Sequence, residues 1–535
     1  MKHFLFRIAK DYVKTQFISI CHSVVHQHPF GKRQNPFCVR GVLDSRFRGK
    51  DMFLKLSHTF IFSIFITFAL FSCKKDDEIT SPPIDYSKID TIQYSKHIQP
   101  LLNEKCATSG CHNSASKAAG LSLASWNEVM GGSTFGEAIV AFKSSKSLLT
   151  TLFDGTPLRV SHRSLGEKKL TNAEVTFLKR WIDGGAKNDA KQIPFAHSMN
   201  KLYVPNQGED NVAIIDIDSM VVIRYVDVGN SPGNDAPHFI VAKGEYWYVS
   251  LINTGQVWKF SAHTDTLIGI VHIPGAPALL SLSPDGGKLF VSQFMSATQQ
   301  INKIYTVNTS SMLITDTITV GTMPHGIRVN NSGTRLYIAN MLSDNISVVD
   351  VATNELIENI SVAFDANPFG QAIYQPMEIA VSPNDSFVVV TCSGSAKNEV
   401  RLFSVGNSPA LTLIDSFPVA EQPWHVQFIP NNNDYCYVTN RKGNTLSEIH
   451  LPMRMVMNEI TNETKFDFPH GVAISGDGKY VFVSNENQSI LHNFIPRYNN
   501  DYVGNVCMYE RTASALQFVK ALEVGKFPTG LSIVE

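Results

Sequence analysis

The sequence has little charge and no excess of either sign. Of its 535 residues 17% are Asp, Glu, Lys or Arg, the 46 basic and 47 acidic side chains nearly cancel, and the formal net charge is −1. That leaves no basic stripe for a phosphate backbone, and no nucleic-acid partner is expected. Long Ala/Leu/Glu/Lys runs are few, which excludes a helical bundle as the main architecture. No nucleophile elbow, pair of catalytic carboxylates or phosphate loop stands out, so the residues leave open whether the chain is an enzyme and lean toward a non-catalytic role. The eight cysteines give no disulfide framework. Cys21 and Cys38 lie far upstream, Cys73 ends an apolar run, Cys106 and Cys111 sit beside a histidine, and Cys392, Cys436 and Cys507 are scattered.

What is abundant is β-branched and aromatic residues between Gly, Pro, Asn and Asp turns, a strand-rich composition over most of the length. The chain is too long for one ordinary core and predicts at least two domains. Residues 52–73 read as an export signal, with Lys55 near the start, the run TFIFSIFITFALF, then Ser72 and Cys73. Residues 1–51 are basic and patternless, and are read as an extension upstream of a true start at Met52. LFSC resembles a bacterial lipobox, which would make Cys73 the lipidated residue; two or three acyl chains anchor stably at about 0.8 kcal/mol per buried methylene. An uncleaved membrane helix is the alternative. KKDDE behind Cys73 is similar to the charged tag of surface lipoproteins in the Bacteroidetes group. The expectation is an exported outer-membrane lipoprotein facing the periplasm or the cell surface. Residues 74–93 have the polar, proline-containing composition of a flexible tether.

Residues 94–189 predict a small all-α domain. HIQPLLNEK gives a first helix that runs into Cys106, and LTNAEVTFLKRWIDGGA gives a last one, with Thr171 and Glu174 as a capping box and Gly184-Gly185 as its stop. Between them, CATSGCH brings two thiols and an imidazole together. Covalent haem attachment needs this trio: Cys106 and Cys111 for two thioethers and His112 for the iron. The spacing is longer than the usual two residues, with Ala107, Thr108, Ser109 and Gly110 between the cysteines. Zinc would need a fourth ligand that no neighbouring Cys/His pair supplies, and a disulfide loop with an incidental histidine is the remaining alternative.

From residue 195 to 535 a repeat of roughly 40 to 60 residues takes over, the period of propeller blades. One strand recurs as KLYVPN, EYWYVS, KLFVSQ, RLYIAN, FVVVTC, DYCYVTN and KYVFVSN, which implies seven blades. Each of the last six is preceded by a strand that starts at a proline, as in PHFIVA or PHGIRVNNSG. KLYVPN has no such partner and PTGLSIVE at the C-terminus has no blade, so the C-terminal strand is expected to close the ring. Strands in that position line the central channel. His238, His325, Met377, Trp424, His425 and His470 follow their prolines and could converge there. Several imidazoles and a thioether would suit copper or face a second cofactor; the alternative is a turn habit with histidines packed at the rim. The three propeller cysteines read as small buried hydrophobes.

Two resemblances add to this reading. IQPLLNEKC, GLSLASWNEVMGG, SLLTTL and LTNAEVTFLKRWIDGGAKND resemble the planctomycete type of cytochrome c domain. That family implies one haem c and a distal methionine in a Met-Pro segment before the last helix. Here the segment reads TPLRVSHRSLGEKKLT; His162 stands about where the methionine would fall, which points to bis-histidine iron with His112 proximal and His162 distal, Met130 being the other candidate. The strand repeats resemble the YVTN propeller family. The combination implies a cell-envelope electron carrier with the propeller as docking scaffold for an unidentified redox protein; the alternative is an oxidoreductase resembling cytochrome-linked propeller enzymes such as the nitrite reductases.

Overall fold

The computed structural model describes residues 84–155, 169–295, 300–364, 372–394, 397–489, 503–513 and 515–534. The export signal, Cys21, Cys38, Cys73 and His162 lie outside them. No helix among the described residues is long and apolar enough to cross a membrane.

The first part is a small helical domain. Its helices are Gln99–Lys105, preceded by a wider turn at Tyr94–Ile98, then Trp126–Met130, Leu148–Thr151 and Asn172–Asp183. The last helix starts as its sequence predicts. The Thr171 hydroxyl accepts the Glu174 N–H at 3.3 Å, and the Glu174 carboxylate accepts the Thr171 N–H at 2.6 Å. At its other end Gly185 takes a φ of +101° and donates to the Ile182 carbonyl. Ile98, Leu102, Val129, Phe177, Leu178 and Ile182 form the core. Tyr86, Ile89 and Ile92 pack against it as well, so the compact region begins before Tyr94 because these apolar side chains have a surface to cover.

The rest is seven four-stranded antiparallel sheets, a seven-bladed β-propeller. Blade one is closed by the C-terminal strand: Ser532–Ile533 pairs with Lys201–Asn206, which continues into Asn211–Asp216 and Val221–Asp227. The axial strands of blades two to seven are Pro237–Lys243, Ala276–Leu282, Pro324–Val329, Pro376–Val381, Pro423–Phe428 and Pro469–Ile474. A proline has no N–H for the ladder and therefore sits at the strand start. Six of the seven prolines follow a residue of left-handed φ: Ala236, Met323, Gln375, Gln422, Phe468 and Phe527, between +48° and +60°. In blades two to seven the ladder then slips register just after the proline, so the next two residues, or in blade five Met377 alone, are turned out of the sheet at the axis.

The helical domain is docked along the outer strand of blade one. Lys146 meets Glu209 at 2.7 Å and Lys143 meets Asp227 at 2.8 Å. Arg224 donates to the Pro194 carbonyl at 3.0 Å and lies over the Phe142 ring. At Gly132 an added Cβ would come within 2.9 Å of a Val221 methyl, so the two parts touch with no room for a side chain between them.

Candidate functional sites

Two places bring chemistry-bearing residues together. The first is in the helical domain. Cys106, Cys111 and His112 line one recess whose other walls include Leu121, Leu123, Ala138, Leu148, Leu149, Leu152 and Phe153. It measures about 560 Å³ including its open mouth. The lengthened loop folds back on itself: the His112 N–H donates to the Cys106 carbonyl at 3.1 Å, Cys111 N–H to Thr108 O at 3.0 Å, and Gly110 supplies a φ of +72°. The two cysteines are free thiols, so a disulfide between them is not the arrangement present. Burial, with Cys111 alongside, pushes the Cys106 thiol up to about 11. Met130 is buried in the domain core and is not among the residues that line the recess.

The second place is the propeller axis, where the turned-out residues meet. The His238 ring lies 6.1 Å from His325 and 5.8 Å from His470, and His425 lies 5.2 Å from His470, centroid to centroid. Burial drives all four imidazoles toward the neutral form: His325 falls to about 4, and His238, His425 and His470 lie well below the usual range. Three are held by their Nδ1 atoms. His325 Nδ1 donates to the Met377 carbonyl at 2.9 Å, His238 Nδ1 meets Gln207 Oε1 at 3.2 Å, and His470 Nδ1 meets Glu486 Oε1 at 2.6 Å. The Nε2 of His470 accepts the Trp424 indole N–H at 3.1 Å, and Glu486 is clamped by Arg441 Nε and Nη2 at 2.7 and 2.6 Å. Met377 is buried as well. Among the described residues no three His, Cys, Asp or Glu side chains are grouped to hold a metal ion.

The reason for this crowding is a ring of hydrogen bonds between blades. The hydroxyls of Ser250, Ser292, Thr391, Thr439 and Ser484 each donate to the carbonyl of the residue after the next blade's proline: Ala278, His325, Trp424, His470 and Thr529, at 2.6 to 2.9 Å. These hydroxyls stand at the position that the threonine holds in YVTN. Two blades lack one, having Pro205 and Ala339 there. In those blades a side chain beside the axial proline takes over: Thr529 Oγ1 reaches the His238 carbonyl at 2.5 Å, and His325 Nδ1 reaches Met377. The ring is thereby complete through all seven blades.

Sequence reading did not single out Glu378, Arg328, Glu486, Arg441 or Gln207. The first two become visible only when the blades are aligned on their prolines. Glu378 stands two residues after its proline and Arg328 four, in rows that are otherwise small or uncharged except at His425.

A seven-bladed propeller with an appended helical domain is the class these observations define. The family described as lactonase, seven-bladed β-propeller, matches residues 192–367. A comparison with curated proteins finds no match. Among solved structures, a chain of hydrazine synthase from Kuenenia stuttgartiensis is 17% identical with a TM-score of 0.45, over 57% of this chain and 93% of that one. The periplasmic gluconolactonase of Pseudomonas aeruginosa is 17% identical with a TM-score of 0.48, over 63% of this chain and 99% of that one. Neither likeness supports an argument about function.

Proposed function

We propose that the protein is a haem-bearing electron carrier of the bacterial cell envelope, of the planctomycete cytochrome type, with one haem c in the helical domain and the propeller as its docking scaffold. The observation that carries this reading is that Cys106, Cys111 and His112 share one apolar recess. Two thiols outside any disulfide and an imidazole lining one recess fit a porphyrin held by two thioethers and one iron ligand. When bound, that group supplies a one-electron couple. The chain's own part is to fix it and to set its surroundings: Leu121, Leu123, Leu149, Leu152 and Phe153 exclude water from the recess, and a dry pocket is one of the levers on reduction potential. His162 is the proposed distal ligand. Export, with lipidation at Cys73, is part of the same reading, because c-type haem is attached outside the cytoplasm.

The test is the pyridine haemochrome spectrum of the protein purified from a host with a c-type maturation system. One haem per chain that survives denaturation, and its loss in the Cys106→Ala/Cys111→Ala double variant, is the expected result. Stoichiometric zinc without haem would sink the reading.

A further inference from the structure

We propose that the axial cavity of the propeller binds a small carboxylate, held by the Arg328 guanidinium with Glu378 and His425 closing around it. The cavity measures about 270 Å³ and runs from the histidine level toward the opposite mouth. Phe239 from blade two and His425 of blade six, stacked at 5.6 Å, line its end beside the histidine cluster. A volume just under the usual range for ligand pockets, about 300–1,000 Å³, admits only a small molecule.

Arg328 and His425 stand in its wall, and Glu378 lies just behind it between them, with polar atoms left unmet. Glu378 is 1% exposed, and no side chain closes a hydrogen bond to its carboxylate. Its nearest charged or titratable neighbours stand slightly too far: Arg328 Nη2 at 3.9 Å from blade four and His425 Nδ1 at 3.8 Å from blade six. Arg328 Nε and His425 Nε2 are also buried without a partner. Leaving such groups unmet costs about 1–3 kcal/mol each, and native folds seldom tolerate it without a reason.

The fold does not require these residues. In the row of Arg328 the other blades place Val241, Ser281, Ala380, Gln427, Ala473 and Ser532, all of which line the same cavity. In the row of Glu378 and His425 the other blades place Phe239, Leu279 and three glycines, Gly326, Gly471 and Gly530. The polar departures fall in three consecutive blades, four, five and six, so they form one sector, with Arg328 and His425 in the wall and Glu378 behind them.

The ligand's charge follows from that sector. Arg328 and Lys243 bring two cations to the cavity, against the single carboxyl of Glu378, so an anion balances it. A guanidinium presents a planar fork that matches a carboxylate in two parallel hydrogen bonds. Glu378 in its acid form donates to the same anion, and burial already favours that form.

Equilibrium dialysis of the full chain with labelled acetate, at fixed ionic strength, reads this site whether or not Cys106 and Cys111 carry a group. We expect one saturable equivalent, at least tenfold weaker in Arg328→Met and in Glu378→Leu, and nearly unchanged in Glu378→Gln, whose amide still donates. Gln427→Trp, which fills the cavity from blade six, should abolish binding and stands as the second variant if Arg328→Met does not fold. Absence of saturable acetate binding, equal affinity in Arg328→Met and the wild type, retained binding in Gln427→Trp, or inorganic phosphate binding more tightly than acetate would overturn the proposal.

Discussion

The Nδ1–H of His325 donates to the carbonyl oxygen of Met377 in the next blade, 2.9 Å away, and it does so because its own blade has Ala339 where five others have a hydroxyl. A carbonyl can only accept, so the bond fixes His325 as the neutral Nδ1–H tautomer. The histidine therefore has a structural duty of its own. His325→Ala should leave a buried carbonyl unmet, a cost of about 1–3 kcal/mol. Adding Ala339→Ser to that variant should recover about 1 kcal/mol, while Ala339→Ser alone changes little. Denaturant unfolding of the four proteins closes the cycle; a serine that is additive with the histidine change would mean the two groups do not serve the same carbonyl.

Glu378 should make the propeller's stability fall across the neutral range. Burial raises its carboxyl from 4.5 to about 7, and Arg328 and the Ile379 N–H offset this only in part. A group whose folded value is raised contributes stability that is full below the unfolded value and lost as pH rises through the folded one. The window is therefore about pH 4.5 to 7. Glu378→Gln cannot ionise, so its stability relative to the wild type should climb through that window, by up to about 3 kcal/mol at 1.36 kcal/mol per pH unit. His325 works in the opposite direction, losing stability as pH falls from 6.5 toward about 4, but it is common to both proteins. A flat difference from pH 4.5 to 8 would show that Glu378 is not held in its acid form.

The blades, their number and the closure were readable because each repeat carries the same punctuation: a proline that starts the axial strand, then an alternating strand ending in Asn or an equivalent. Asn206, Asn340, Asn440 and Asn485 show why the last letter recurs, since each is fully buried and bonds a side chain at or near the start of the following strand, such as Asn211 or Asn345 at 2.8 Å. The thiol and imidazole trio was readable because its chemistry is local. What could not be read was the role of the residues at the axis. His238, His325 and His470 share one sequence context but have three different Nδ1 acceptors, contributed by Gln207, Met377 and Glu486, which lie 31, 52 and 16 positions away. Those partners come from the blade's own hairpin for His470 and from a neighbouring blade for His238 and His325, which the local context does not reveal. Tyr86, Ile89 and Ile92 were likewise read as tether because three scattered apolar residues in a polar stretch show no period.

The contacts between the helical domain and blade one should differ sharply in weight. Lys146 and Glu209 are 2.7 Å apart with side chains 18% and 15% exposed, whereas Asp227 in the Lys143 pair is 71% exposed. Exposed pairs contribute about 0–1 kcal/mol, and breaking a mostly buried one leaves a desolvated charge behind. Glu209→Gln should therefore destabilise the docked domain by roughly 1–3 kcal/mol and Asp227→Asn by at most a few tenths. Hydrogen exchange of the Trp126–Met130 and Leu148–Thr151 helices would check this, with faster exchange expected in the first variant alone.

The axial ligand opposite His112 is the remaining point on which the electron-carrier reading can be tested quantitatively. If His162 supplies it, the oxidised protein should show a low-spin bis-imidazole spectrum with no sulfur-to-iron charge-transfer band. His162→Met should then create that band and raise the midpoint potential, because a thioether favours the reduced iron relative to imidazole. His162→Ala should give a high-spin or water-ligated spectrum that added imidazole restores. Met130→Leu should leave all of these unchanged, since Met130 is buried in the core of the helical domain. A charge-transfer band already present in the unmodified protein, lost in Met130→Leu, would transfer the role to Met130 and require the Trp126–Met130 helix to turn its last residue into the recess.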